Sequence, residues 1–264
     1  MLVLFNLVGI NLPGLGGMIF EMRIACLHTI SCTLFFLLFV VSARAQPRGK
    51  VESYSTEQGL SHQRVTTMLK DGEGFMWFGT WDGINRFDGH SFVSFKSAPG
   101  NKFQIGNERI DQIVEDQTGH LWVAAYDGEI YQFDKRKEVF FPVSAIIYPG
   151  RKEKVLFRNI LGAADGLIWL QSSEKGLFCV SQTDLSPGHF QHYHKDTSAQ
   201  YQLPSNTINF LHEDNNHRIW IGTSEGLCCL KKAASGIFVN SGIVPAAIAT
   251  QSNLTAFDED AEQL

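Results

Sequence analysis

One tryptophan motif recurs four times in this chain, and a repeat of that length leaves few folds open. Trp77, Trp122, Trp169 and Trp220 stand 45, 47 and 51 residues apart. Asp71-Gly-Glu-Gly74 precedes Trp77; Gly79-Thr80 and then Gly83 follow it. Asp116-Gln-Thr-Gly119 leads to Trp122 and Gly128, and Asp214-Asn-Asn-His217 leads to Trp220, Gly222-Thr223 and Gly226. The third copy reads Ala163-Ala-Asp165-Gly166 before Trp169. It lacks the Gly-Thr pair and reaches Gly176 with one extra residue.

Each copy parses into short strands. Apolar residues upstream of each Trp predict an inner strand buried between neighbours: Val65, Met68 and Leu69; Ile110, Ile113 and Val114; Phe157, Ile160 and Leu161; Ile208 and Leu211. D-x-x-G is a tight turn, because Asp bonds its own backbone and Gly accepts positive φ. The Trp strand follows, then a second hairpin turn, then strands at 84–87 and 130–133. Outer strands are expected at 92–95 and 138–141. Four short antiparallel strands in about 45 residues is the arithmetic of a propeller blade. The fold class is therefore all-β, a β-propeller with four recognisable blades. Each Trp is assigned to the gap between blades, and Asp71, Asp116 and Asp214 to the turns. Gly or Pro interrupts nearly every stretch between residues 50 and 235 that could be helical.

The N-terminus is a targeting segment rather than fold. Arg23 supplies a positive start, residues 33–41 an apolar run too short to span a bilayer, and Ala43-Arg44-Ala45 a cleavage site before Gln46. Residues 22–45 are read as a secretory signal, so the mature chain is expected in the periplasm. Residues 1–21 carry no positive side chain and are read as a start-site extension ahead of Met22.

Composition bounds the rest. Hydrophobic residues make up 44%, enough for a packed core. The net charge of -5, with both signs mixed along the chain, gives no nucleic-acid footprint. Of five cysteines, Cys26 and Cys32 fall in the signal. Cys179, Cys228 and Cys229 remain, an odd number without C-x-x-C spacing, and read as buried free thiols. His189, His192 and His194 lack a convincing fourth partner for a metal. No metal or cofactor is expected.

The blade pattern resembles the two-component regulator propeller family, whose repeat runs D-x-x-G-x-x-W-x-G-T-x-x-G-L. Residues 60–89 and 203–230 carry the resemblance best, and residues 54–60 look like the family's opening strand and turn. The resemblance implies the periplasmic sensor region of a hybrid histidine kinase, with an oligosaccharide or other small ligand as partner. It also implies a ring commonly of seven blades. A homodimer is a further open expectation, and membrane contact would come only through regions downstream. Beyond Lys232 no further repeat, kinase histidine box or receiver domain follows. The blades are assigned to residues 46–235 and a non-repeat tail to 236–264. The chain is read as the N-terminal fragment of a sensor. The alternative is closure of four blades by themselves, with Val51–Tyr54 pairing near Ile237-Phe238.

Candidate binding residues recur in register. Trp81 and Tyr126 each lie four residues past a blade Trp, beside Asp82 and Asp127. Two aromatics with carboxylates on one rim could stack on sugar faces and bond hydroxyls. Arg64 and Arg109 each lie thirteen residues before a Trp and could hold an anionic sugar. No residue is assigned a catalytic role. A propeller hydrolase or lyase needs converging carboxylates, or an arginine cluster with a Tyr nucleophile, and neither pattern recurs here. A stand-alone binding propeller is the other alternative.

Overall fold

The computed structural model describes residues 51–97, 104–149 and 155–243. All of these except 51–53 belong to one compact unit that starts at Tyr54. The signal at 22–45, the extension at 1–21 and the tail beyond 243 lie outside the described residues. Among the described residues, no helix is long and apolar enough to cross a membrane.

Four antiparallel sheets follow one another, each with its strands in sequence order. Blade one holds β1 (Val65–Lys70), β2 (Met76–Thr80), β3 (Gly83–Phe87) and β4 (Phe92–Phe95). Blade two holds β5 (Ile110–Glu115), β6 (Leu121–Ala125), β7 (Ile130–Asp134) and β8 (Val139–Pro142), followed by a single helical turn, α1 (Ser144–Ile147). Blade three holds β9 (Phe157–Gly162), β10 (Leu167–Ser172), β11 (Leu177–Ser181) and β12 (Phe190–Tyr193). Blade four holds β13 (Ile208–Glu213), β14 (Ile219–Thr223), β15 (Gly226–Lys232) and β16 (Phe238–Ile243).

The D-x-x-G turn and the Trp strand form one unit. Asp71 Oδ1 accepts the amides of Glu73 and Phe75, while its Oδ2 accepts the indole N–H of Trp77 at 2.8 Å. Asp116 treats Thr118, His120 and Trp122 the same way, and Asp214 treats Asn216, Arg218 and Trp220. A single carboxylate thus closes the turn and satisfies a polar atom that would otherwise be buried unpaired. The threonine of the Gly-Thr pair clamps the next turn: Thr80 Oγ1 donates to Gly83 O at 3.0 Å, and Thr223 Oγ1 donates to Gly226 O at 2.7 Å. Blade three lacks that pair, yet Ser172 Oγ donates to Gly176 O at 2.8 Å and bridges the longer turn.

Alternation in the strands gives each blade two packing faces. Trp77 packs with Phe133 of blade two at 5.8 Å, and Trp169 with Phe238 of blade four at 5.1 Å. Trp122 is buried among Phe157, Ile160 and Phe178 of blade three. The indoles therefore fill the gaps between consecutive blades. Trp220 has no such blade over it among the described residues and is only half-buried.

Hydrogen bonds join the blades at the turn end. Glu115 Oε2 accepts the amide of Gly72, and Glu213 Oε2 accepts that of Ala164. At the interface between, where Gly162 replaces the glutamate, Gln182 Oε1 accepts the equivalent amide of Gln117 at 2.9 Å. Lys135 of blade two reaches back to Asp71 at 2.9 Å and Glu115 at 2.7 Å, and Lys232 of blade four reaches Asp165 at 2.7 Å. The inner strands are tied as well. Gln112 Nε2 donates to Ile160 O and its Oε1 accepts Ile160 N, both at 2.8 Å.

Several expectations change. Val65 and Met68 are 37% and 65% exposed, although Ile113 and Ile160, at the register position of Met68, are buried. Met68 lies on the face of blade one that points away from blade two, and no sheet among the described residues covers it. Of the expected opening strand and turn at 54–60 only the turn forms, a 3-10 turn at Thr56–Gln58 capped by Ser55, which accepts from Glu57 N while Gln58 Oε1 accepts from Ser55 N. Val51–Tyr54 form no strand, and Phe238 pairs with Lys232 inside blade four. Because β16 is the outer strand of blade four, the blade region runs to Ile243, not Ser235.

Candidate functional site at the rim of blades one and two

In blades two, three and four the residue before the inner strand meets, backbone to backbone, the residue that follows the Trp strand. Tyr126 N donates to Arg109 O at 2.9 Å, Ser173 N to Leu156 O at 2.8 Å, and Ser224 N to Thr207 O at 3.0 Å. The approach to that position is itself held by a short polar side chain two residues earlier. Arg64 N donates to His62 Nδ1, Arg109 N to Asn107 Oδ1, and Thr207 N to Ser205 Oγ. Such local side-chain-to-backbone bonds fix a turn without a glycine. They deliver Arg64, Trp81, Arg109 and Tyr126 to one rim, at the end of the strands opposite the D-x-x-G turns.

There the four side chains interleave. The Arg64 guanidinium lies 4.2 Å from the centroid of the Trp81 ring, and that of Arg109 lies 4.7 Å from Trp81 and 3.7 Å from Tyr126. Cation and ring alternate along a ladder that crosses from blade one to blade two. The His62 imidazole stacks on Trp81 as well, with centroids 6.0 Å apart; it was not among the residues expected here. Its signal in the sequence is its place two residues before Arg64. With three cationic or aromatic groups around it, Trp81 offers little open ring for a sugar, and its buried Nε1 has no hydrogen-bond partner. Tyr126 is 50% exposed and supplies the open ring of the set.

The carboxylates of the same turns are engaged elsewhere. Asp82 pairs with Lys96, and Asp127 Oδ1 accepts the amide of Glu129 at 3.2 Å. Arg109 Nε stands 3.8 Å from Asp111 Oδ1, beyond hydrogen-bond length, and is a second buried donor without a hydrogen-bond partner. Blades three and four offer Ser173 and Ser224 at the aromatic position. Ser173 accepts from Arg158 Nε at 2.8 Å, and Ser224 meets Ser205 at 2.9 Å.

In the histidine run, the rings of His192 and His194 lie with centroids 4.6 Å apart. His192 Nε2 contacts Lys175 O at 2.6 Å and its ring stacks on Phe178 at 4.0 Å; burial depresses its pKa despite that carbonyl. His189 meets Asp184 on the surface at 2.8 Å. Among the described residues no three His, Cys, Asp or Glu side chains are placed to hold a metal ion. A cleft of about 450 Å³ lies at the opposite end of blade four, lined by Asn216, His217, Arg218, Lys231 and Lys232. Two of its cations are already paired, Arg218 with Asp214 and Lys232 with Asp165.

Residues 59–82 and 202–225 match the family described as two component regulator propeller. They are the opening halves of blades one and four, each ending at the rim turn. The chain carries two-component regulator propeller repeats. A 73-residue stretch is 34% identical to a histidine kinase, P4, of Formosa agariphila, over 27% of this chain and 5% of that protein. The extracellular domain of a hybrid two-component system of B. thetaiotaomicron, BT4673, shares the propeller fold: TM-score 0.52, 22% identity, 67% of this chain and 25% of that one. Virginiamycin B lyase of Staphylococcus aureus shares it with 14% identity and TM-score 0.50, over 76% of this chain and 63% of that one. The regulator-propeller blades thus span a small part of the length of the two-component proteins they resemble.

Proposed function

We propose that this chain is the ligand-sensing propeller of a two-component signal-transduction sensor, exported to the periplasm, and that an oligosaccharide is what it detects. The observation that carries the reading is the rim ladder of Arg64, Trp81, Arg109 and Tyr126. It joins two blades and presents an open ring and cationic groups to solvent. Loops on a rigid scaffold are where recognition concentrates. The two-component proteins that share these repeats support the signalling half of the reading. Binding without turnover suits the carboxylates. Asp71, Asp116 and Asp214 spend both oxygens on their own turns and indoles, which leaves them poorly placed as acids or bases.

Titration of the purified chain with a panel of oligosaccharides tests this. Saturable binding without product formation is expected, and Tyr126→Ala should weaken it about tenfold, the worth of one stacked aromatic. Turnover of any glycan, or affinity indifferent to Tyr126, would overturn the reading.

A further inference from the structure

The rim ladder carries one step more. We propose that Arg64 and Arg109 together form an oxyanion site, so that the saccharide bound at this rim is an acidic one bearing a carboxylate or a sulfate ester. The inference rests on the sensing reading only in placing the ligand at this rim.

Stacking explains why these guanidiniums remain available. A guanidinium covered on its faces by rings keeps its N–H donors in plane, pointing outward from the edge. Arg109 lies against two rings, Trp81 and Tyr126, and Arg64 lies against one. Side-chain hydrogen bonds do not consume those donors. Among the described residues Arg64 has no carboxylate partner, and Asp111, which faces Arg109, stops at 3.8 Å from Nε. The nearby acids are committed in other ways: Asp82 to Lys96, Glu108 to the hydroxyl of Ser97 at 2.6 Å, and Asp127 to the amide of Glu129.

Two positive groups around one indole repel each other in the empty site, and a shared oxyanion removes that repulsion while accepting a charge-assisted bond from each. The ring of Tyr126, stacked on Arg109 and half exposed, lies where the sugar carrying the oxyanion would rest. An aromatic platform beside paired arginines selects for a ring and a negative charge together, which a neutral sugar or a free inorganic ion satisfies only in part.

The test uses the full chain and four probes: a galacturonate disaccharide, its methyl ester, a disaccharide sulfate ester and its desulfated form. At least one acidic probe should bind about tenfold or more tighter than its neutral counterpart, with affinity falling as salt rises. Arg64→Ala with Arg109→Ala should cost about 30-fold or more, and Arg→Lys at both positions should restore part of it. The Trp81 indole proton, assigned by loss of its signal in Trp81→Phe, should shift with the acidic probe. That readout also exposes a variant that binds poorly because its rim is misfolded. Preference for the carboxylate or for the sulfate pair identifies which oxyanion is read. Equal affinity for charged and neutral probes that depends on Tyr126 but not on the arginines would overturn the oxyanion site and leave the sensing reading standing. Failure of both acidic probes to move the Trp81 signal at millimolar concentration would also overturn it. Arginine-dependent binding of the acidic probes, with turnover, would keep the site and sink the sensing reading.

Discussion

Asp116 Oδ2 accepts the buried indole N–H of Trp122 at 2.8 Å, and Asp71 with Trp77 and Asp214 with Trp220 repeat the contact across six residues. In blade three the spacing is kept but the acid is Ala163, and Trp169 Nε1 is left buried without a partner. The blade still forms because burying an indole outweighs one lost hydrogen bond.

Asp116→Ala should therefore destabilise the protein by about 2–3 kcal/mol, from the orphaned indole and the opened turn together. Ala163→Asp should stabilise it by about 1 kcal/mol by supplying the missing acceptor. Urea unfolding midpoints at neutral pH check both. A loss of stability in Ala163→Asp would mean that desolvating the carboxylate costs more than its bonds return.

Acid should weaken the fold through Asp71 and Asp214. Burial pushes the Asp71 carboxyl up, but the bonds from Trp77, Lys135 and the Phe75 amide together hold it below the ordinary 3.8. Asp214 is likewise raised by burial and brought below 3.8 by Trp220, the Arg218 amide and the Arg218 side chain. Because the folded values lie below the unfolded ones, this stabilisation is present above 3.8 and is lost as pH falls through the folded values. The urea midpoint should decline below about pH 4, and Asp71→Asn with Asp214→Asn should flatten that decline.

The first blade interface should show energetic coupling between Glu115 and Lys135. The Lys135 side chain is 7% exposed and bridges Glu115 and Asp71, while Glu115 also accepts the Gly72 amide. Removing one partner leaves a buried charge uncompensated, so Glu115→Ala and Lys135→Ala should each cost about 2–3 kcal/mol. The double variant should cost less than their sum by about 1–2 kcal/mol. Strict additivity in the cycle would show that the contact carries no net energy.

The blade cysteines should resist modification in the native state. Burial pushes the Cys228 thiol up to about 12 and raises Cys179 and Cys229 as well. The thiolate is the reactive form, so at pH 8 these three should label slowly when folded and readily in urea. Peptide-resolved mass spectrometry after alkylation distinguishes them from Cys26 and Cys32.

Much of the blade was legible because its determinants are local. The span from Asp71 to Trp77, the Gly-Thr pair and the glycine turns all lie within one hairpin, and hydrogen bonds of fixed reach convert such spacing into shape. The rim was half legible. Arg64, Trp81, Arg109 and Tyr126 could be aligned by repeat register, but alignment places them on one rim without saying what touches what. Arg109 belongs to the blade after Trp81, and its position between Trp81 and Tyr126 depends on how two sheets twist and pack. His62 was missed for the same reason, and so was the tie from Glu115 to the Gly72 amide, 43 residues away on another blade.

The sequence by itself determined the repeat, the strand order in each sheet and the aspartate that serves the turn in three of the four blades, since all of these are contacts between near neighbours along the chain. Only the tertiary structure decided which faces are covered. Met68 and Ile113 occupy the same register position with the same apolar character, yet one is 65% exposed and the other 4%. The difference is the neighbouring sheet that packs against blade two and not against that face of blade one, and burial is a property of such a neighbour rather than of the residue.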